Sequence, residues 1–253
     1  IRPCICWIRV SLGNVPARGR FPHVWQASLR CAFTFVAALA CLASIHSRAG
    51  EPVLRVGVFR ADATPPLGSP VAYAPARKIE DPLSARGIVL LGAGEPIVLC
   101  AVDWIGIGNS GHDAWREELA RAAGTTPDRV AVHTLHQHDG PRCDFAAEEL
   151  LAAHGLGGKR FDVPFARQTI ERTAAAVRAA REAPRRVTHL GVGRAEVEKV
   201  ASNRRILGPD GKVKLGRMSA CRNPEAIAAP EGVIDPVLRM LSLWDGEQPI
   251  VCL

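Results

Sequence analysis

From residue 53 onward the apolar positions switch between two periods. Residues 53–59 form a short β-rich run, and 86–91 and 97–102 form two more, joined by the turn-rich stretch 92–96 as a predicted hairpin. Asn109 or Ser110 then offers a cap for a helix to about Ala123, with Trp115, Leu119 and Ala122 along one face. The stretch 124–128 ends that helix, and a strand is predicted over 129–134. A longer helix is predicted from Phe165 to about Arg181, carried by Ile170, Ala174 and Val177 and closed by Pro184. Strand text returns at 187–192, 237–243 and 250–253, while 206–230 reads as a loop around the turn Gly208-Pro-Asp-Gly211. This alternation predicts an α/β (or α+β) fold, a mixed sheet with flanking helices.

Residues 1–49 follow another pattern. They hold six arginines and no Asp, Glu or Lys, and 31–44 is an uncharged, largely apolar run ending before Ser47-Arg48-Ala49. A charged start, a short apolar run and a small-x-small exit together read as a secretory signal. The run falls short of the ~20 residues needed to span a bilayer. Cleavage is expected near Ala49, exporting a chain that begins at about Gly50, with 1–27 an extension upstream of the signal. Residues 50–253 stop inside strand-like text and read as the incomplete amino-terminal part of a larger domain.

The charge of +7 belongs to that leader. Of the 32 Lys and Arg, 26 lie beyond residue 49, where 25 acidic groups balance them. The body therefore has no broad positive field, and nucleic acid is excluded as a partner.

Chemistry concentrates in His133-Thr-Leu-His136-Gln-His138-Asp-Gly-Pro141. On extended backbone, side chains two apart share a face, so His136 and His138 are predicted to point together and His133 oppositely, as a core or supporting residue. Such a pair suits one metal ion, or one ligand plus one proton carrier. Asp103, at the end of the run 97–102, is a candidate to orient a ligating histidine, or else a turn cap. Asn203 and Arg204 offer polar and cationic groups for a carboxylate or carbonyl. His112, His154 and His189 read as surface groups. Cys100, Cys143, Cys221 and Cys252 form no CxxC pair, and Cys100 and Cys252 are expected as buried thiols in apolar runs. There is no GxSxG, HxHxDH, P-loop or GxGxxG, which argues against serine hydrolases, metallo-β-lactamases and nucleotide-binding folds.

The order of these pieces carries a resemblance. Val56-Gly-Val-Phe-Arg-Ala-Asp62-Ala-Thr-Pro-Pro66, Leu83-Ser-Ala-Arg86-Gly-Ile-Val89, Ala101-Val-Asp103, His136-Gln-His138-Asp-Gly-Pro141, Ala201-Ser-Asn203-Arg204 and Glu231-Gly-Val-Ile-Asp235-Pro-Val-Leu238 resemble, in sequence order, the amino-terminal part of neutral/alkaline non-lysosomal ceramidases. The resemblance implies an exported or membrane-attached zinc amidase that cuts the N-acyl bond of ceramide-like lipids into sphingosine and fatty acid. It implies His136 as a zinc ligand and His138 as the catalytic histidine contacting the reacting group. The remaining family ligands, a second His, a Glu and a Tyr, are then expected beyond Leu253, so the chain alone is expected to be inactive. Arg142-Cys143 stands where the family continues with glycine, and 68–81 lacks the family's Gly-Ile-His text. Both departures weaken ceramide as the substrate more than zinc hydrolysis. A zinc hydrolase of another N-acyl substrate and an exported, non-catalytic binding or scaffold protein of the same fold are the alternatives.

Overall fold

The computed structural model describes residues 8–11, 53–200 and 203–253; the expected signal and most of its upstream extension lie outside the described residues. The chain divides into two compact units, 13–187 and 188–253 with 1–12.

The larger unit is a five-stranded sheet under helices. Its strands are β2 (Arg55–Asp62), β3 (Ser84–Gly92), β4 (Gly94–Val102), β6 (Val130–Thr134) and the short β8 (Arg185–Arg186), following the strand β1 (Ile8–Ser11) of the other unit. The order is β6-β4-β3-β2-β8, antiparallel except for the parallel pair β4 and β6, while the two-residue strands β5 (Gly106–Ile107) and β7 (Arg142–Cys143) pair with each other in parallel. The β3–β4 hairpin is tighter than the sequence predicts: Gly92 pairs with Gly94, leaving Ala93 at the tip. Between β4 and β6 runs helix α1 (Asn109–Ala123), with Trp115, Leu119 and Ala122 buried as the periodicity predicts. Gly108 rather than Asn109 or Ser110 occupies the cap position.

Helix α2 (Phe145–Ala153) appears where no element was predicted, started by Asp144, whose carboxylate accepts the Ala147 N–H. Helix α3 (Val163–Glu182) is capped by Asp162 and packs on β2. The packing is close enough that a Cβ on Gly57 would lie 2.0 Å from the Ala180 oxygen, so only glycine lets the helix backbone sit there. Residues from α1, α3 and the covered sheet face, including Phe59, Val89, Val98, Val102, Trp115, Ile170 and Val177, form one continuous core.

The smaller unit is an antiparallel sheet of order β1-β9-β12-β13, with β9 (His189–Glu196), β12 (Val237–Asp245) and β13 (Gln248–Cys252). The predicted loop 206–230 contains a hairpin, β10 (Arg205–Leu207) and β11 (Val213–Gly216), and a short helix α4 (Pro224–Ala228). Cys252 is exposed, against expectation, because β13 is the edge strand of its sheet. Cys100, in the middle of β4, is buried as expected. No described helix is long and apolar enough to cross a membrane.

The parallel pairing of β4 with β6 brings their carboxyl ends together. Val102 pairs with Thr134, so both strands finish at one sheet edge and release their next residues side by side. Ligands of open α/β sheets gather beyond such carboxyl ends.

Candidate functional site

The chain leaving β4 runs Asp103-Trp104-Ile105, and the chain leaving β6 runs from Leu135 to Pro141. Backbone bonds stitch them together, Leu135 N–H to the Val102 oxygen at 3.2 Å and Ile105 N–H to the Pro141 oxygen at 3.1 Å. Beneath them Trp104 is fully buried, its indole N–H donated to the Ala63 oxygen at 2.9 Å and its ring edge-on to Trp115. The site thus rests on packed aromatics rather than on a free loop.

Gln137 fixes the turn. Its side-chain N–H donates to the Asp103 oxygen at 2.7 Å, and its carbonyl accepts the Asp139 N–H at 2.8 Å. A Cβ on Gly140 would come within 2.6 Å of the Gln137 amide and 2.8 Å of the Asp103 oxygen, so the turn closes only over glycine. These contacts hold the turn that carries His136 and His138.

The two imidazoles do come together, with ring centroids 5.0 Å apart and planes at 79°. The reason differs from the predicted one. Strand β6 ends at Thr134, and His136 has a left-handed backbone (φ 56), so the pair does not sit on extended backbone. Such a conformation costs a non-glycine residue ~1–2 kcal/mol and persists only where its surroundings hold it. Here the holding contact is His136 Nδ1 to the Ile105 oxygen at 2.8 Å. A carbonyl can only accept, so Nδ1 carries a proton, and in the neutral ring the lone pair then falls on Nε2. His138 Nδ1 instead lies 2.7 Å from the hydroxyl of Tyr73, whose ring meets the imidazole edge-on at 5.4 Å. A hydroxyl donates or accepts, so this partner fixes the ring's position without dictating its tautomer.

Three expectations about neighbouring residues change. Asp103 is buried, and its carboxylate accepts from the Ser84 N–H and hydroxyl at 2.9 Å each and from Arg86 at 3.1 Å. It therefore does not hold a histidine through its side chain; it supports the pair through its backbone oxygen and Gln137. His133 is exposed on β6 and is not a core residue. His112 is half-buried on α1 and His189 half-buried on β9, whereas His154 is exposed as expected. Asn203 and Arg204 lie in the smaller unit, where the Asn203 carbonyl accepts the Arg205 N–H at 3.1 Å and the Arg204 oxygen accepts the Arg217 N–H at 3.0 Å.

Tyr73 is the residue that sequence reasoning missed. It is the chain's one tyrosine, but it stands 65 positions from its partner in a stretch without periodicity. Tyr73, Gln137, His138 and Asp139 line one side of a groove of about 590 Å³, and Pro65, Ile79 and Leu83 give it apolar wall. A wider depression of about 770 Å³ around Phe165 and Arg172 shares Thr64, Pro65 and Ile79 with that groove. No histidine lines it, whereas His138 lines the smaller groove. Among the described residues, no group of three or more His, Cys, Asp or Glu is gathered as a metal cluster.

No family model matches the chain, and no curated protein does. Solved structures do match. A ceramidase complexed with C2 aligns over 79% of this chain with a TM-score of 0.52 and 20% identity. The neutral ceramidase of Pseudomonas aeruginosa aligns over 79% with a TM-score of 0.51 and 18% identity. The chain spans only 30% and 31% of the lengths of those two structures. Across 79% of its length, then, this mixed α/β chain is built like a segment of a neutral ceramidase.

Proposed function

We propose that the chain is the amino-terminal part of an exported, zinc-dependent amide hydrolase that cleaves the N-acyl bond of ceramide-like lipids at a membrane surface. The observation that carries this reading is the His136–His138 pair, 5.0 Å apart on a turn held by the Ile105 and Asp103 oxygens. The likeness in fold to ceramidases supports the substrate class.

The residues fit zinc in part. Hydrogen bonding of Nδ1 to a backbone oxygen is the usual arrangement of a metal-binding histidine, because it orients the ring and leaves Nε2 unprotonated. His136 has it. A catalytic zinc takes three protein ligands, so the reading requires further ligands from outside the described residues. Zinc, when bound, supplies Lewis-acid polarisation of the amide carbonyl.

The remaining chemistry falls to this chain's own groups. His138 lines the groove and is the group that holds or passes a proton at Nε2 as charge develops on the amide oxygen or nitrogen. Such a role contributes ~10²–10⁴-fold in rate. Pro65, Ile79 and Leu83 offer apolar surface to a hydrocarbon portion of the substrate, keeping water from that side of the amide.

Equilibrium dialysis against zinc at pH ~8, with metal analysis, tests the reading. One weakly held zinc per chain is expected, and it is lost in His136→Ala. Equal zinc uptake by the two proteins overturns the assignment.

A further inference from the structure

We propose that Tyr73 is a positioning residue for His138: its hydroxyl holds the imidazole over the groove while leaving both tautomers available, which divides the labour between the two histidines. The inference rests on the catalytic reading of His138 given above, and names a residue that reading does not contain.

The loop bearing Tyr73 is built to present it. Gly68 N–H donates to the Ala76 oxygen at 2.8 Å, Ala76 N–H to the Ser69 oxygen at 2.9 Å, and Val71 N–H to the Ala74 oxygen at 3.1 Å. These bonds close a tight finger with Tyr73 in its tip. The finger is tied down at two further points. Ser69, buried, donates its hydroxyl to Asp162 at the start of α3 at 2.5 Å. Arg142 donates to the Ala72 oxygen at 3.0 Å, and Ala72 itself is 2% exposed. Arg142 is one of the residues that depart from the ceramidase pattern, and this contact gives it a structural task.

On that anchored finger Tyr73 stands 78% exposed, with its hydroxyl free of the finger's own backbone bonds. What it touches is His138, by hydroxyl at 2.7 Å and by ring edge. The contrast with His136 gives the contact its meaning. His136 faces a carbonyl and is held as the Nδ1–H tautomer, an arrangement for a ligand. His138 faces a hydroxyl that rotates between donor and acceptor. Its Nε2 can therefore offer a proton to a developing oxyanion or accept one, without the ring having to move. A group passing a proton needs that freedom, and a metal ligand does not.

The test is the state of the imidazole nitrogens, read by ¹⁵N NMR on the histidine-labelled full chain. Tyr73→Phe removes one oxygen and keeps the ring. In that variant the His138 ¹⁵N signals are expected to shift while those of His136 stay in place. Tyr73→Leu removes both ring and hydroxyl, and is expected to shift His138 further and broaden it. His138 signals unchanged in Tyr73→Phe overturn the proposal, as does a His136 shift equal to that of His138. Zinc uptake is measured on the same samples and is expected to match wild type in Tyr73→Phe. Failure of the wild-type chain to take up zinc counts against the hydrolase reading, whereas the nitrogen shifts report on Tyr73 regardless, so the two failures are told apart.

Discussion

The Nδ1 of His136 lies 2.8 Å from the backbone oxygen of Ile105, one of several bonds between the turn after β6 and the segment after β4. It holds a left-handed histidine in place and selects its tautomer. The neighbouring His138 has no such carbonyl, so the two rings are expected to differ in function although they stand two residues apart. His138→Ala should keep zinc uptake within ~10-fold of wild type, a change of ~1.4 kcal/mol. His136→Ala should remove it, and dialysis with metal analysis on both variants decides the matter.

Gly140 is expected to be intolerant of any side chain. An added methyl would meet the Gln137 amide at 2.6 Å, the Asp103 oxygen at 2.8 Å and the Trp104 Cα at 3.0 Å, two of which are backbone. Gly140→Ala should cost ~1–3 kcal/mol in denaturant unfolding, the usual range for overpacking. It should also weaken zinc uptake, because relief of the clash pushes Gln137 and both histidines away from β4.

Asp103 is expected to act on stability rather than on zinc. Its carboxylate gathers the Ser84 N–H, the Ser84 hydroxyl and the Arg86 guanidinium. Replacing it by Ala leaves the buried Ser84 donors unpaired, at ~1–3 kcal/mol for the desolvated groups. Because Gln137 binds the backbone oxygen, Asp103→Ala should keep zinc uptake once folded. Chemical denaturation beside dialysis separates the two effects.

Burial pushes the thiols of Cys100 and Cys143 from 9.0 up to about 12. In the unfolded chain they ionise near their ordinary value, so above it the unfolded state releases protons that the folded state keeps. Their contribution to stability is full below pH 9 and is lost as pH rises toward 12, by at most about 1.4 kcal/mol per pH unit for each thiol. Unfolding measured from pH 8 to 10 should show this decline, and Cys100→Ala with Cys143→Ala should flatten it. Peptide mapping after alkylation at pH 8 should find the exposed Cys252 labelled and both buried thiols protected.

Local pattern was enough to place β2, β3, β4 and β6 of the larger sheet and the helices α1 and α3, because each buries one face and the burial writes its period into the chain, whereas the two-residue β8 is exposed and was not predicted. Helix α2 escaped that logic: only Phe145 is buried along it, and Leu150 is 68% exposed, so no stripe marks it. The hairpin of β10 and β11 likewise buries no residue fully, so no covered face writes a period into it. The sequence also identified His136 and His138 as neighbours, since two residues on any turn stay close. Their distinct surroundings were settled only in three dimensions. The Ile105 oxygen comes from 31 positions away and the Tyr73 hydroxyl from 65, through a strand pairing and an anchored loop. A chain's spacing records which groups lie near along the backbone; which atoms face each ring, and so where each proton rests, depends on contacts that only folding creates.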